Sequence, residues 1–186
     1  METLKKSSNW LHKISRTWLL LASLGLMILF MIFVLPSQAQ KSSQEIGSDR
    51  SPDTSFFYTP EELYQLAEEY GTDGRQAYIR ARWTFDLIFP LVYTVFLTVG
   101  ISWFSQRITG WHQSWRLANL LPLLGGIFDL LENTATSLAM SLYPAKVQLV
   151  LFSASLFTPV KWILVSLSFL PYFALGTAWL IQRIRA

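Results

Sequence analysis

Four apolar runs constrain what this chain folds into more than any other feature. Residues 18–35, 83–105, 117–142 and 147–182 are dominated by Leu, Ile, Phe and Val. A helix crossing a hydrocarbon core of roughly 30 Å needs about 17–25 such residues, and every run supplies them. Across 186 residues, 52% are hydrophobic and only 15% charged, which is too apolar for an ordinary soluble domain. Trp10, Trp18, Trp83, Trp103, Trp111 and Trp179 fall near the ends of the runs, where amphipathic rings favour the headgroup level. The expected fold is therefore all-α: a polytopic transmembrane helix bundle of four spans plus one short extracytoplasmic helix.

The segments follow from local composition. Residues 1–17 form a basic N-terminus holding Lys5, Lys6, Lys13 and Arg16. Residues 18–35 are either the first span or the core of a signal peptide, because Ser37-Gln38-Ala39 offers small residues for cleavage. Cleavage there would leave three spans. Residues 36–58, rich in Ser, Gln, Asp and Lys, carry the composition of a disordered extracytoplasmic linker. Thr59, Pro60, Glu62 and Gly71 then supply a cap, a first-turn proline, a capping-box acid and a stop, predicting a surface helix over 59–71.

The membrane bundle occupies 72–186, with spans at about 83–105, 117–142 and 160–182. Its second helix is predicted to run unbroken from Thr72 into the apolar stretch. The last run exceeds one crossing, so Thr158-Pro159 is the expected break, leaving an outer half helix over 147–157.

Orientation comes from Lys and Arg counted over the short loops. One side collects Lys5, Lys6, Lys13, Arg16, Arg107, Arg116, Arg183 and Arg185, while every acid outside the spans except Glu2 falls on the other. The N- and C-termini are thus expected in the cytoplasm. With no cysteine, the chain has neither disulfides nor a thiolate nucleophile. P-loop, zincin and nucleophile-elbow motifs are lacking, as is any basic aromatic platform for nucleic acid. His12 and His112 lie away from the acidic positions, so neither a metal nor a cofactor is implied.

Three acids fall inside the apolar runs, where a charge costs at least a few kcal/mol. Asp129, Glu132, Asn133 and Thr136 share one helix face, with Gly125 and Gly126 one turn earlier to admit a neighbouring helix or a ligand. Tyr78, Arg82, Asp86, Pro90 and Tyr93 recur at steps of four and three along another. Pro90 removes the hydrogen bond that the Asp86 carbonyl would accept. Lys161 is expected at the depth of Asp86, forming one ion-paired cluster with it and Arg82. Asp129 and Glu132, about 4.5 Å apart along the axis, are expected to share a proton unless cations compensate them.

The pattern Tyr78-x3-Arg82-x3-Asp86-x3-Pro90 followed by Asp129-x2-Glu132-Asn133 resembles a group of small bacterial four-span integral membrane proteins, over the chain from Glu61 onward. That resemblance implies a bacterial inner membrane and brings no activity with it. The residues themselves leave two readings open. Asp129, Glu132, Asn133, Asp86, Tyr93, Arg82 and Lys161 either fix which helices meet or line a site. Such a site would bind or transport a small cationic or amphipathic ligand, or perform acid/base chemistry on a lipid-like substrate. The partners implied are the lipid bilayer, a small-molecule or lipid ligand, and a membrane protein or second copy of this chain in an assembly role.

Overall fold

A computed structural model describes residues 2–52, 55–108 and 113–185. Trp111 and His112, singled out above, lie outside them. Among the described residues the chain is helical and has no strand. In order, the α-helices are α1 Glu2–Ile14, α2 Thr17–Leu29, α3 Leu35–Ile46, α4 Pro60–Glu69, α5 Gly71–Arg82, α6 Phe85–Ser105, α7 Leu121–Leu142 and α8 Gln148–Arg185. A π-helical stretch, Phe30–Val34, joins α2 to α3 without a break, and a 3₁₀ stretch, Gln113–Leu120, leads into α7.

Among the described residues, three helical stretches are long and apolar enough to cross a membrane: Thr17–Ile46, Gly71–Ser105 and Gln148–Arg185. The α7 helix is not among them, because Asp129, Glu132, Asn133 and Thr136 dilute its apolar content.

The chain divides into two compact units, one of Met1–Ile28, Leu91–Gly126 and Ile163–Ala186, the other of Leu29–Pro90 and Ile127–Trp162. In the first, Leu20, Val99 and Trp103 form a small core, with Trp179 edge-on to Trp103. Gly125 and Gly126 serve close helix approach. A Cβ added at Gly126 would stand 2.7 Å from Thr94 Oγ1, and one at Gly125 would stand 3.1 Å from Val165. The second unit is built on a core of Ile46, Tyr58, Leu63, Leu66, Tyr70, Tyr78, Met140 and Leu151.

Three sequence expectations are corrected. The segment 36–58, expected as a disordered linker, is helical as far as Ile46 and ends on Gly47 in the left-handed region. Composition missed it because the helix is held by tertiary contact. Ile46 is buried, and its carbonyl presses so closely on α5 that a Cβ at Gly74 would stand 2.6 Å away. The chain beyond it is also tied down: Ser48 Oγ donates to Glu69 at 2.7 Å, and the Tyr70 hydroxyl donates to the Arg50 carbonyl at 2.6 Å.

The helix expected to run unbroken from Thr72 is interrupted at Trp83 and Thr84, where the Thr84 hydroxyl donates back to the Arg80 carbonyl at 2.7 Å. A hydroxyl taking a helix carbonyl competes with the backbone ladder at that turn. Conversely, the break expected at Thr158-Pro159 is absent, and α8 runs through both residues. Pro159 deprives the Ser155 carbonyl of its donor but leaves the rest of the ladder intact, and hydroxyls of Ser155 and Thr158 hydrogen-bond within the same turns.

At the start of α4, the Thr59 hydroxyl accepts from the Glu62 backbone N–H while the Glu62 carboxylate accepts from that of Thr59 at 2.7 Å. The Thr59 backbone and side-chain donors hold the Glu62 carboxyl below its ordinary value.

Candidate functional site

The second unit gathers Arg82, Asp86, Asp129, Glu132 and Lys161 on α5, α6, α7 and α8. Arg82, at the end of α5, reaches across the Trp83-Thr84 turn to Asp86 in the first turn of α6, with Nη2 and Oδ2 at 2.5 Å. Arg82 is buried, and its guanidinium lies over the Tyr78 ring at 4.8 Å, so cation–π attraction adds to the carboxylate contact. The turn shifts the register between the helices, yet four-residue spacing still brings these side chains together.

Asn133 on α7 completes this half of the site by satisfying two groups. Its Oδ1 accepts from Arg82 Nη1 at 3.4 Å, and its Nδ2 donates to the Asp86 carbonyl at 3.0 Å. That carbonyl is the one deprived of its helical donor by Pro90. A side-chain amide from a neighbouring helix thus replaces the missing backbone bond.

One residue earlier on α7, Glu132 is fully buried and pairs through Oε2 with the ammonium of Lys161 on α8, itself buried. Its other oxygen, Oε1, accepts the Thr158 hydroxyl at 2.6 Å. Thr158 lies one turn before Lys161, so the unbroken α8 presents both groups on one face. The Thr158 oxygen also stands 2.9 Å from the Tyr58 hydroxyl. A threonine hydroxyl has one hydrogen to give, so Glu132 Oε1, the Tyr58 hydroxyl and the Ala154 carbonyl at 3.1 Å are alternative acceptors for it, with the carboxylate the shortest contact.

The cluster expected from the sequence was Arg82, Asp86 and Lys161. The structure keeps Arg82 with Asp86 and places the Lys161 ammonium on Glu132, so Glu132 has a cation for a partner. Asp129 is buried on α7, one turn before Glu132 and Asn133. Tyr93, buried on α6, belongs to the other unit. Among the described residues, no group of three or more His, Cys, Asp and Glu has the arrangement of a metal site.

Comparison of the chain with models of protein families, with curated proteins and with solved structures finds no match. The site is accordingly read from its own chemistry.

Thr158 and Tyr58 were not anticipated from the sequence. Thr158 carried a signal, standing three residues before Lys161 on a helix face, but the expected break at Pro159 concealed it. Tyr58 sits in the stretch assigned to the linker and carried none.

In the other unit, α1 forms a second polar knot that the sequence did not indicate. Ser8 Oγ donates to the Arg116 carbonyl at 2.8 Å, and Asn119 Nδ2 donates to the Ser8 carbonyl at 3.2 Å and to Ser102 Oγ at 2.9 Å. The ring nitrogens of His12 face the carbonyls of Ser102 at 3.2 Å and Arg116 at 3.3 Å. Burial pushes the His12 imidazole below its ordinary value, against the two carbonyls that favour its charged form.

Proposed function

We propose that the chain is a four-span integral protein of a bacterial inner membrane that binds a small cationic or amphipathic ligand, in exchange with a proton, at the carboxylates of α6 and α7. The observation that carries this reading is the gathering of three carboxylates, Asp86, Asp129 and Glu132, with the cations Arg82 and Lys161 inside one unit. Carboxylates set near one another in low dielectric repel, so uptake of a proton or of a cationic ligand lowers the cost of holding them together.

The test is the pair of wild type and Asp129→Asn, which removes one of the three carboxylates and nearly preserves shape. Detergent-purified wild type should gain melting temperature on addition of the lipophilic cation tetraphenylphosphonium and should release protons on binding it. The variant should do neither. Equal response, or equal indifference, in the two proteins would leave an assembly role as the better account.

The same reading makes α7 the fourth span, its polar stripe shielded by Arg82 and Lys161 from neighbouring helices. With the basic loops in the cytoplasm, reporter fusions after Ser55 and Tyr143 should score outside, and fusions after Gln113 and at the C-terminus inside. A cytoplasmic score after Ser55 would reverse the orientation.

A further inference from the structure

The first helix, α1, has three distinct faces. Ser8, His12 and the following Ser15 are buried and share one face, which is the face that bonds to Arg116, Asn119 and Ser102. Leu4, Trp10 and Ile14 share a second, and all are exposed, Leu4 at 55% and Trp10 at 60%. Lys6 and Lys13, seven residues apart and both exposed, border the Trp10 edge of that apolar stripe.

An apolar stripe flanked by lysines is the arrangement of a helix lying in a headgroup layer, where the stems of Lys run along apolar surface and the ammonium groups reach phosphates. Two further features identify what covers the stripe. It leads directly into the apolar stretch Thr17–Ile46, whose Trp18 is also exposed, so the same lipid that would surround the span meets α1. The charge is one-sided as well: Lys5, Lys6, Lys13 and Arg16 stand against Glu2 alone in the first seventeen residues.

We infer that α1 is a binding element for anionic phospholipid, pinned to the protein by the Ser8–His12 face and holding acidic headgroups with Lys6 and Lys13 while Leu4, Trp10 and Ile14 enter the acyl boundary. The inference rests on the membrane reading above but not on the carboxylate site. Because Ser8 and His12 also contact the 3₁₀ stretch before α7, lipid engagement by α1 is mechanically continuous with the segment that leads into that helix.

The chain has no cysteine, so single spin labels can be placed in the full-length protein without other changes. Labels at Leu4→Cys, Ile14→Cys and Asn9→Cys are compared in nanodiscs of phosphatidylcholine with and without phosphatidylglycerol. A label at Leu91→Cys, exposed on α6, reports whether the spans are in the bilayer. With phosphatidylglycerol, positions 4 and 14 should be accessible to oxygen and shielded from an aqueous nickel chelate, and position 9 the reverse. Lys6→Gln with Lys13→Gln should weaken the preference of the protein for phosphatidylglycerol on the order of tenfold. The inference is overturned if positions 4 and 14 are as open to the chelate as position 9, or if the double variant keeps the full preference. A water-exposed label at position 91 would instead overturn the membrane reading on which it rests.

Discussion

Replacing Lys161 with methionine should destabilise the protein by about 3–5 kcal/mol in SDS-unfolding titrations, and Glu132→Gln should cost a similar amount. Each leaves one buried charge without its partner, since Glu132 is fully buried and Lys161 nearly so. A stranded charge retains its desolvation cost and loses the Coulomb attraction that offset it. The double variant Glu132→Gln with Lys161→Met should recover most of the loss. Its glutamine keeps an oxygen for the Thr158 hydroxyl, and Thr158 also has the Ala154 carbonyl at 3.1 Å. If the double variant unfolds as readily as either single one, the pair contributes nothing as a pair and the charge argument for the site fails with it.

That pairing shows where sequence reasoning reached its limit. Helical spacing determines which residues share a face, and it correctly aligned Glu132 with Asn133 on α7 and Arg82 with Asp86 across α5 and α6. It does not say which face of which helix meets another. Depth was the only guide to the partner of Lys161, and depth was counted from a break at Pro159 that α8 does not make. Proline weakens a helix locally, but a buried turn whose neighbouring hydroxyls take up carbonyls survives it. The reverse happened at Trp83 and Thr84. Nothing in the apolar periodicity marks a turn there, and Thr84 looked like any other helical threonine.

Legibility also failed where order is tertiary in origin. The linker composition of 36–58 is real, yet Ile46 and Tyr58 are buried within it, and single apolar residues in a polar stretch carry no periodic signal. The docking face of α1 was hidden for a related reason. Ser8, His12 and Ser15 are polar, so a reading that seeks apolar contact faces assigns them to solvent, although backbone carbonyls of Ser102, Arg116 and Leu11 receive them. Three of the four expected spans were legible because hydropathy alone determines them, whereas the polar stripe of α7 takes it below that measure. The polar joints between helices required the folded chain.

The role assigned to Asn133 predicts an unusual dependence between two residues on different helices. Asn133 is buried, and its replacement by leucine removes both the donor to the Asp86 carbonyl and the acceptor for Arg82. Leaving a buried carbonyl without a donor costs about 1–3 kcal/mol, and the weakened guanidinium contact adds to that, so Asn133→Leu should be strongly destabilising. Pro90 is the reason the Asp86 carbonyl needs an outside donor. With Pro90→Ala, the backbone N–H at position 90 becomes available to that carbonyl, as in any regular helix. Asn133→Leu should therefore cost less when Pro90 is already alanine. The coupling energy from the double-mutant cycle should be at least about 1 kcal/mol, within the range seen for residues joined in one hydrogen-bond network. The Arg82–Asp86 ion pair involves neither changed side chain, so it leaves the difference between the two backgrounds to the carbonyl. Should Asn133→Leu cost the same with proline and with alanine at position 90, the amide is not standing in for a missing helical hydrogen bond, and its contribution must come from Arg82 or from packing alone.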